Sequence, residues 1–317
     1  MASNVFWAAV CVCGVASLSY WAMFSPRSEC SVTRWLIAAV LPILIAVRGM
    51  RRNSLDFSGG MLSIAMGFLL TIANAAFCVA LIVFYVSSSR LTKWKSEEKR
   101  KIEEDFKEGG QRNWLQVLCN GGIGSVCALL YLYTSGVGEL PINLTGPKMD
   151  AATVFSLGFL ASLSCSGGDT WASEVGSAVG GTPRLITTFR KVPRGTNGGV
   201  TMIGLVSSVA GGLVVGISYY VALLLFSISK SCTPQWMVII IASLSGLVGS
   251  LIDSILGATI QYSGYSEEIK KVVNSPGVDV KHISGFNLVG NHAINFLSSL
   301  FTALIVLCVT RFIIVCY

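Results

Sequence analysis

Charge is what this sequence has least of. Only 12% of its 317 residues are charged, against 53% hydrophobic, whereas a soluble domain carries about 25% charged residues. Such a chain cannot cover a globule with polar surface, which excludes a soluble protein. Motifs built on cysteine and histidine are missing too. Ten cysteines are present without a CxxC pair or a Cys/His cluster, and the two histidines, His282 and His292, cannot make a zinc site alone. Cys30 and Cys232 are expected in loops, while Cys11, Cys13, Cys78, Cys119, Cys127, Cys308 and Cys316 read as small buried apolar residues. There is no repeat with a period of about 20–50 residues, no Walker A ending and no Ser–His–Asp arrangement. The apolar runs do not alternate, which argues against a β-barrel.

What is present is a series of apolar blocks long enough to cross a bilayer, about 20 residues each. They predict an all-α polytopic membrane bundle with spans at roughly 4–24, 33–50, 60–86, 114–134, 151–165, 200–228, 236–262 and 290–317. Segment 60–86, about 40 Å if helical throughout, is either one tilted helix or a pair that breaks near "TIANAA" and folds back, giving eight or nine spans. The chain forms one integral membrane domain, because its largest polar loop, about thirty residues, is too short to fold alone. "NVFWAAVCVCGVASLSYWAMF" lacks a basic n-region and reads as a retained first helix. Three long loops, 87–113, 166–199 and 263–289, collect most of the cations. The loops between them hold only Lys148 and Lys230. The long loops therefore share a side, the cytosolic one by the positive-inside rule. Arg48, Arg51 and Arg52 fit only if 60–86 is a double pass.

Acids are scarce, so those in apolar surroundings stand out. In "SLSCSGGDTWASEVGSAVGG", Asp169 and Glu174 follow an apolar run and a Gly167–Gly168 pair expected to break the helix. If a helix begins at Asp169, both carboxylates can face one polar cavity and hold Mg²⁺, which prefers oxygen ligands. The plain alternative is a helix N-cap with a solvated first-turn acid. In "SLSGLVGSLIDSILGATIQYSG", Gly246, Ser250, Asp253 and Gly257 form one helical stripe. Asp253 is then an intramembrane acid, either functional or bonded to a neighbouring helix's Ser or Asn.

In "FRKVPRGTNGGVTMIG", Lys191 and Arg194 lead into Gly195, Thr196, Asn197 and Gly198 before a helix near Val200. A basic cluster and glycine turn at a helix N-terminus suit phosphate, and equally suit an interfacial loop. Arg112 precedes a span that contains Asn120. Asn291 and Asn295 share a side of the final span. Between Ser96 and Lys107 acids and bases alternate as on a solvated helix face, and no chemistry is expected there. Acids just below a membrane face lined with cations and glycine turns suit Mg²⁺ and polyphosphate. The expected reaction is phosphoryl or nucleotidyl transfer to a lipid head. A proton- or cation-coupled transporter using Asp253, Asn120 and Asn295, and a non-catalytic membrane scaffold, are the alternatives.

The strings "SLDFSGG", "LTKWKSEEK", "KEGGQRNWLQVLCNGG", "SCSGGDTWASEVG", "PRLITTFRKVPRGTNGGVTMIGLVSS", "GLVGSLIDSILGATIQYSG", "VVNSP" and "HISG" closely resemble the transmembrane protein 19 family, over about residues 33–300. That family is similar to the plastid phytyl-phosphate kinase family of integral membrane proteins and, more remotely, to CTP-dependent polyprenol kinases. The resemblance implies a membrane-embedded kinase that uses CTP as phosphoryl donor with Mg²⁺. It would act on an isoprenoid alcohol or its phosphate, with no nucleic-acid partner. The matching motifs contain Asp169, Glu174, Lys191, Gly195, Asn197 and Asp253, which the residues themselves also single out. The expected site has Asp169, Glu174 and Asp253 at the metal and acceptor, with Arg112, Asn120, Lys191, Arg194, Gly195, Thr196, Asn197 and Gly198 around the nucleotide. A clear plastid transit peptide is not visible, so the endoplasmic reticulum or another endomembrane is the expected location.

Overall fold

A computed structural model describes residues 30–100, 102, 110–144, 149–179, 181–227 and 234–316. The expected span at 4–24, Cys11, Cys13, Cys232, Lys148 and Lys230 lie outside the described residues. The described chain is mostly helical. In order it runs α1 (Val32–Arg51), α2 (Phe57–Ala73), α3 (Ala75–Lys93), a short α4 (Ser96–Arg100), α5 (Trp114–Ser135), α6 (Ala151–Val179), the strands β1 (Arg184–Leu185) and β2 (Gly199–Val200), α7 (Met202–Phe226), α8 (Met237–Ile260), β3 (Ser263–Ser266), β4 (Lys271–Val273), β5 (Val280–Ser284) and α9 (Asn291–Cys316). Seven of these helices are long and apolar enough to cross a membrane, and α2 is a shorter apolar helix. Large apolar side chains on α1, α7 and α9, among them Leu36, Leu44, Val206, Leu224, Leu304 and Phe312, are exposed. On a membrane helix such residues face lipid.

Segment 60–86 does fold back. Asn74 leaves the helical region with φ −161° and ψ 127° and caps α3 by accepting from the Ala76 N–H at 2.8 Å. The direction of the return is fixed at both ends. At one end the carbonyl of Ala73 accepts from Gly138 N–H, and the carboxylate of Glu139, paired with Arg34, accepts from Ala75 N–H at 2.8 Å. At the other end the Lys93 ammonium donates to the Arg52 carbonyl. Arg48, Arg51 and Arg52 therefore lie at the same end as the three basic loops. That end is held together by its own contacts: Arg112 bridges to Ser54 and Leu55, Lys271 donates to the Arg100 carbonyl at 2.8 Å, and Asn197 N–H donates to Ser263 Oγ at 3.0 Å.

The loops are more regular than an all-helical expectation gave them. β1 and β2 pair antiparallel, and β4–β3–β5 form an antiparallel sheet after α8. The latter has no core of its own and is docked on the 181–200 loop through Asn197, whose amide donates to the Tyr262 carbonyl at 2.9 Å.

The two halves of the bundle differ in kind. Away from the basic end, Phe77, Tyr131, Phe159 and Tyr219 stack into a dry aromatic plug. Phe77 and Phe159 have ring centroids 4.2 Å apart, and the Tyr131 hydroxyl donates to the Gly138 carbonyl at 2.6 Å. Toward the basic end the interior turns to serine, asparagine and aspartate. Helix α6 is the axis of the bundle and packs against α3, α5, α7, α8 and α9.

Candidate active site

The Gly167–Gly168 pair does not break α6, which runs unbroken from Ala151 to Val179. The glycines instead let α7 and α8 close in. A Cβ on Gly168 would lie 2.5 Å from the Gly246 carbonyl oxygen, and one on Gly211 would lie 2.7 Å from the Gly167 carbonyl oxygen. Small residues permitting backbone approach are the usual packing solution where lipid supplies no hydrophobic drive between helices. Asp169 is consequently an interior residue of a long helix, and the N-cap alternative falls away. The α6–α8 crossing, where Gly168 meets Gly246, brings it near enough to Asp253 for the two carboxyls to act on each other.

Four helices supply the surroundings. From α9, Ser298 Oγ donates to Asp253 Oδ2 at 3.2 Å. Asn295, one turn earlier, donates from Nδ2 to Asn120 Oδ1 on α5 at 3.0 Å. Ser166 Oγ donates to the Asn120 backbone carbonyl at 2.9 Å and lies 3.2 Å from Ser299 Oγ. Among the described residues neither aspartate forms an ion pair. Two buried carboxylates without a base are costly unless a cation joins them.

Glu174 does not join this pair. On an unbroken helix it lies about 140° around from Asp169, and its direction differs accordingly. Its carboxylate binds the Lys99 ammonium and accepts from the Thr92 hydroxyl. Lys99, 1% exposed, also donates to the carbonyls of Leu91 at 2.6 Å and Thr92 at 3.1 Å. The expectation of a solvated face from Ser96 onward is thus wrong at Lys99. The three-acid metal cluster is not formed, and among the described residues no group of three or more His, Cys, Asp or Glu is arranged for a metal. What is assembled is two carboxylates with amide and hydroxyl oxygens beside them. This all-oxygen set fits Mg²⁺, which is held by one or two carboxylates plus substrate phosphates and keeps several waters.

The glycine turn at 195–198 is also arranged differently from the expectation. It does not form the N-terminus of α7: β2 intervenes, and Thr201 caps the helix by accepting from Gly204 N–H at 3.0 Å. Thr196 Oγ1 is taken up by the Pro193 carbonyl at 2.8 Å. The Asn197 amide reaches the Tyr262 carbonyl and, at 3.1 Å, Asn274. Gly195 and Gly198 have φ of +89° and +76°. A Cβ on Gly198 would come 2.5 Å from the Ser254 carbonyl. Only glycine lets the turn sit so closely on α8, directly after Asp253. Lys191 and Arg194 are exposed on this turn, with Arg194 Nε donating to the Gly181 carbonyl at 3.1 Å.

Beside the acid pair lies an apolar cavity of about 90 Å³, partly open to the outside, walled by α1, α2, α3 and α5. Its polar lining is Ser63, Tyr85, Arg112, Gln116 and Asn120. Asn120 belongs both to this wall and to the hydrogen bond with Asn295, so pocket and acid pair are contiguous. Burial pulls the Arg112 guanidinium below its usual pKa, while the charge of Glu174 opposes the shift. An arginine stays cationic under such a shift.

Sequence reasoning missed Lys99, Cys165, Ser166, Ser298 and Ser299. Cys165 is buried against Gly249, and Ser299 Oγ lies 3.9 Å from its sulfur. Ser298 follows Asn295 by three residues, a helical spacing that was readable; Lys99 carried no local signal. His282 binds the Gly285 carbonyl at 2.9 Å and packs on Tyr262, a structural role.

A family described as "Integral membrane protein DUF92" matches residues 39–303. The chain is 42% identical over 276 residues to "Protein PGR" of Arabidopsis thaliana, covering 85% of this chain and 94% of the relative. It is 29% identical over 261 residues to "Protein VTE6, chloroplastic" of the same plant, covering 82% and 70%. With "Uncharacterized membrane protein MJ0933" of Methanocaldococcus jannaschii it shares 26% over 237 residues, covering 74% and 86%. No solved structure matches.

Proposed function

The chain belongs to the integral membrane protein DUF92 family, and from that premise we propose that it is a lipid kinase. It would phosphorylate an isoprenoid alcohol or isoprenoid phosphate with CTP as donor and Mg²⁺ as cofactor. The carrying observation is the facing pair Asp169 and Asp253, without a basic partner among the described residues, at the cationic end of the bundle and next to an apolar pocket. The resemblance to the transmembrane protein 19 family and to the phytyl-phosphate kinase family points the same way.

In this reading Asp169 and Asp253 hold the Mg²⁺, and Ser298 fixes the rotamer of Asp253. The bound ion would supply charge neutralisation at the transferring phosphoryl group. Lys191 and Arg194, exposed on the turn above Asp253, meet the donor phosphates. Gly195, Thr196, Asn197 and Gly198 hold that turn in place. Arg112 and Asn120 face the acceptor. An acceptor oxygen forms the new bond to the γ-phosphorus, the bond from that phosphorus to its bridging oxygen breaks, and CDP leaves with the electron pair. With an alcohol acceptor Asp253 would instead be the base that takes its proton, leaving the ion to Asp169; an ionised phosphate has no proton to pass.

The test is to incubate full-length protein in detergent with Mg²⁺, γ-labelled CTP or ATP, and a panel of prenols and prenyl phosphates. Labelled lipid is expected, and Asp169→Asn or Asp253→Asn should lower its formation by roughly a hundredfold or more. Wild-type rates in both variants would overturn the metal role. Asp253, Asn120 and Asn295 do converge, as a proton- or cation-coupled path also needs. Flux in sealed vesicles without nucleotide would favour that transporter over the kinase. One relative's name says chloroplastic, so localisation of the tagged chain decides between a plastid and the expected endomembrane.

A further inference from the structure

The turn that follows β1 has no part in the proposed transfer, and its backbone is unusual. Phe189 has φ +56° and is 68% exposed. A bulky residue in the left-handed region is an outlier, and such strain persists only where the surroundings over-determine it. Here they do. The Leu185 carbonyl accepts from the N–H groups of Thr188 at 3.3 Å and Phe189 at 2.8 Å. Leu185 N–H donates to the Arg190 carbonyl at 2.9 Å, and Arg184 Nη1 donates to the Phe189 carbonyl at 2.9 Å. The depth of the turn is fixed as well. Leu185 and Val192 pack with Ala258, two residues before the end of α8. At that same end the Thr259 carbonyl accepts from Phe286 N–H at 2.9 Å, and the Ile260 carbonyl from Leu288 N–H at 3.2 Å. The side chains of Phe286 and Leu288 are 72% and 70% exposed. Three large apolar side chains therefore stand uncovered at the level where a membrane span ends. Charge is sorted there too. Between Gly181 and Gly199 lie Arg184, Arg190, Lys191 and Arg194, and no acid. Arg184 and Arg190, one at each end of the turn, are exposed and have no role in holding the donor.

Aromatic side chains with cations beside them, at the end of a span, are the pattern of a lipid–water interface, where anionic headgroups attract the cations. An acidic protein would match the charge but not the depth. We propose that Phe189, Phe286 and Leu288 insert into the leaflet at the cationic end of the bundle, and that Arg184 and Arg190 bind the phosphates of anionic phospholipids in it. The occupant is a bilayer lipid, distinct from whatever the acid pair acts on, and the inference holds independently of the kinase reading. It gives the strained turn a use, since the left-handed backbone presents the Phe189 ring outward from a turn anchored on α8. Because β1 pairs with β2, lipid bound here also steadies the Gly195–Gly198 turn that lies on α8.

Photocrosslinking of the full-length protein tests this without any turnover. p-Benzoylphenylalanine replaces Phe189, or Phe286 in a second preparation, and the protein is illuminated in phosphatidylcholine vesicles that carry a minor share of phosphatidylglycerol. Mass spectrometry should find phospholipid adducts from both places. Phosphatidylglycerol should be taken up at Phe189 roughly fivefold or more above its share, as about 1 kcal/mol from a single arginine near an anionic surface gives. Arg184→Gln/Arg190→Gln should bring that enrichment close to one while adducts still form, and Arg190→Lys should keep it. Phe189→Asn suits a left-handed turn better than phenylalanine does, so it should not lower the Tm in detergent. The same illumination in native membranes should again give lipid adducts. The inference is overturned by crosslinks to another protein or to a second copy in place of lipid, by labelling of the two phospholipids in proportion to their shares, by an enrichment that survives loss of both arginines, or by a lower Tm in Phe189→Asn, which would give the ring to the fold.

Discussion

Asp169 and Asp253 were legible in the sequence because each is an acid in a long apolar stretch, where a carboxylate has no routine structural use. Asn120 and Asn295 were legible for the same reason. Glu174 misled because its role depended on where α6 begins. A helix starting at Asp169 aims both acids one way, and a helix continuing through Gly167–Gly168 sends them apart. A local rule for glycine pairs was overridden by tertiary packing, since the pair sits where two neighbouring helices need backbone contact. Gly168→Ala tests that account. Its Cβ would press on Gly246 backbone rather than on a movable side chain, and we expect a stability loss of about 1–3 kcal/mol, read as a lower Tm of the purified protein. An unchanged Tm would mean the crossing has slack the structure does not show.

Single elements were read well where the signal was apolar length and poorly where it was charge alternation. A break near "TIANAA" was one of two readings of 60–86, open because a helix of that length overshoots a bilayer, and the structure places it at Asn74. Lys99 was not anticipated. Its neighbours Glu97, Glu98 and Arg100 give a solvated pattern, and its partner Glu174 is 75 positions away. The ammonium ties α4 to the helix that bears Asp169. Lys99→Met leaves Glu174 without its cation and should cost about 1–3 kcal/mol, less than a fully interior pair because Glu174 is partly exposed. The double variant Lys99→Met/Glu174→Gln should recover part of that loss. Additive losses in the two single variants would show the pair has no coupling.

At the scale of the molecule, the bundle is sorted along its long axis. An aromatic plug and the Arg34–Glu139 pair occupy one end, and the acids, the cations and the pocket occupy the other. Charge distribution over the loops made this sidedness readable once the double pass was granted. The small sheets were not readable, because strands of two to five residues carry too little periodicity. Epitopes inserted at Asn53 and Asp279, both exposed at the cationic end, should be reached by antibody from one side of sealed vesicles, and an insert at Leu140 only from the other. Access to Asn53 and Asp279 from opposite sides would break the topology. The central claim, that the two aspartates together grip a divalent cation, is tested most directly by Mn²⁺ paramagnetic resonance on the full-length protein. The account predicts a bound-Mn²⁺ signal that Mg²⁺ displaces, that disappears in Asp169→Asn and in Asp253→Asn, and that survives Glu174→Gln; an undiminished signal in both aspartate variants would contradict it.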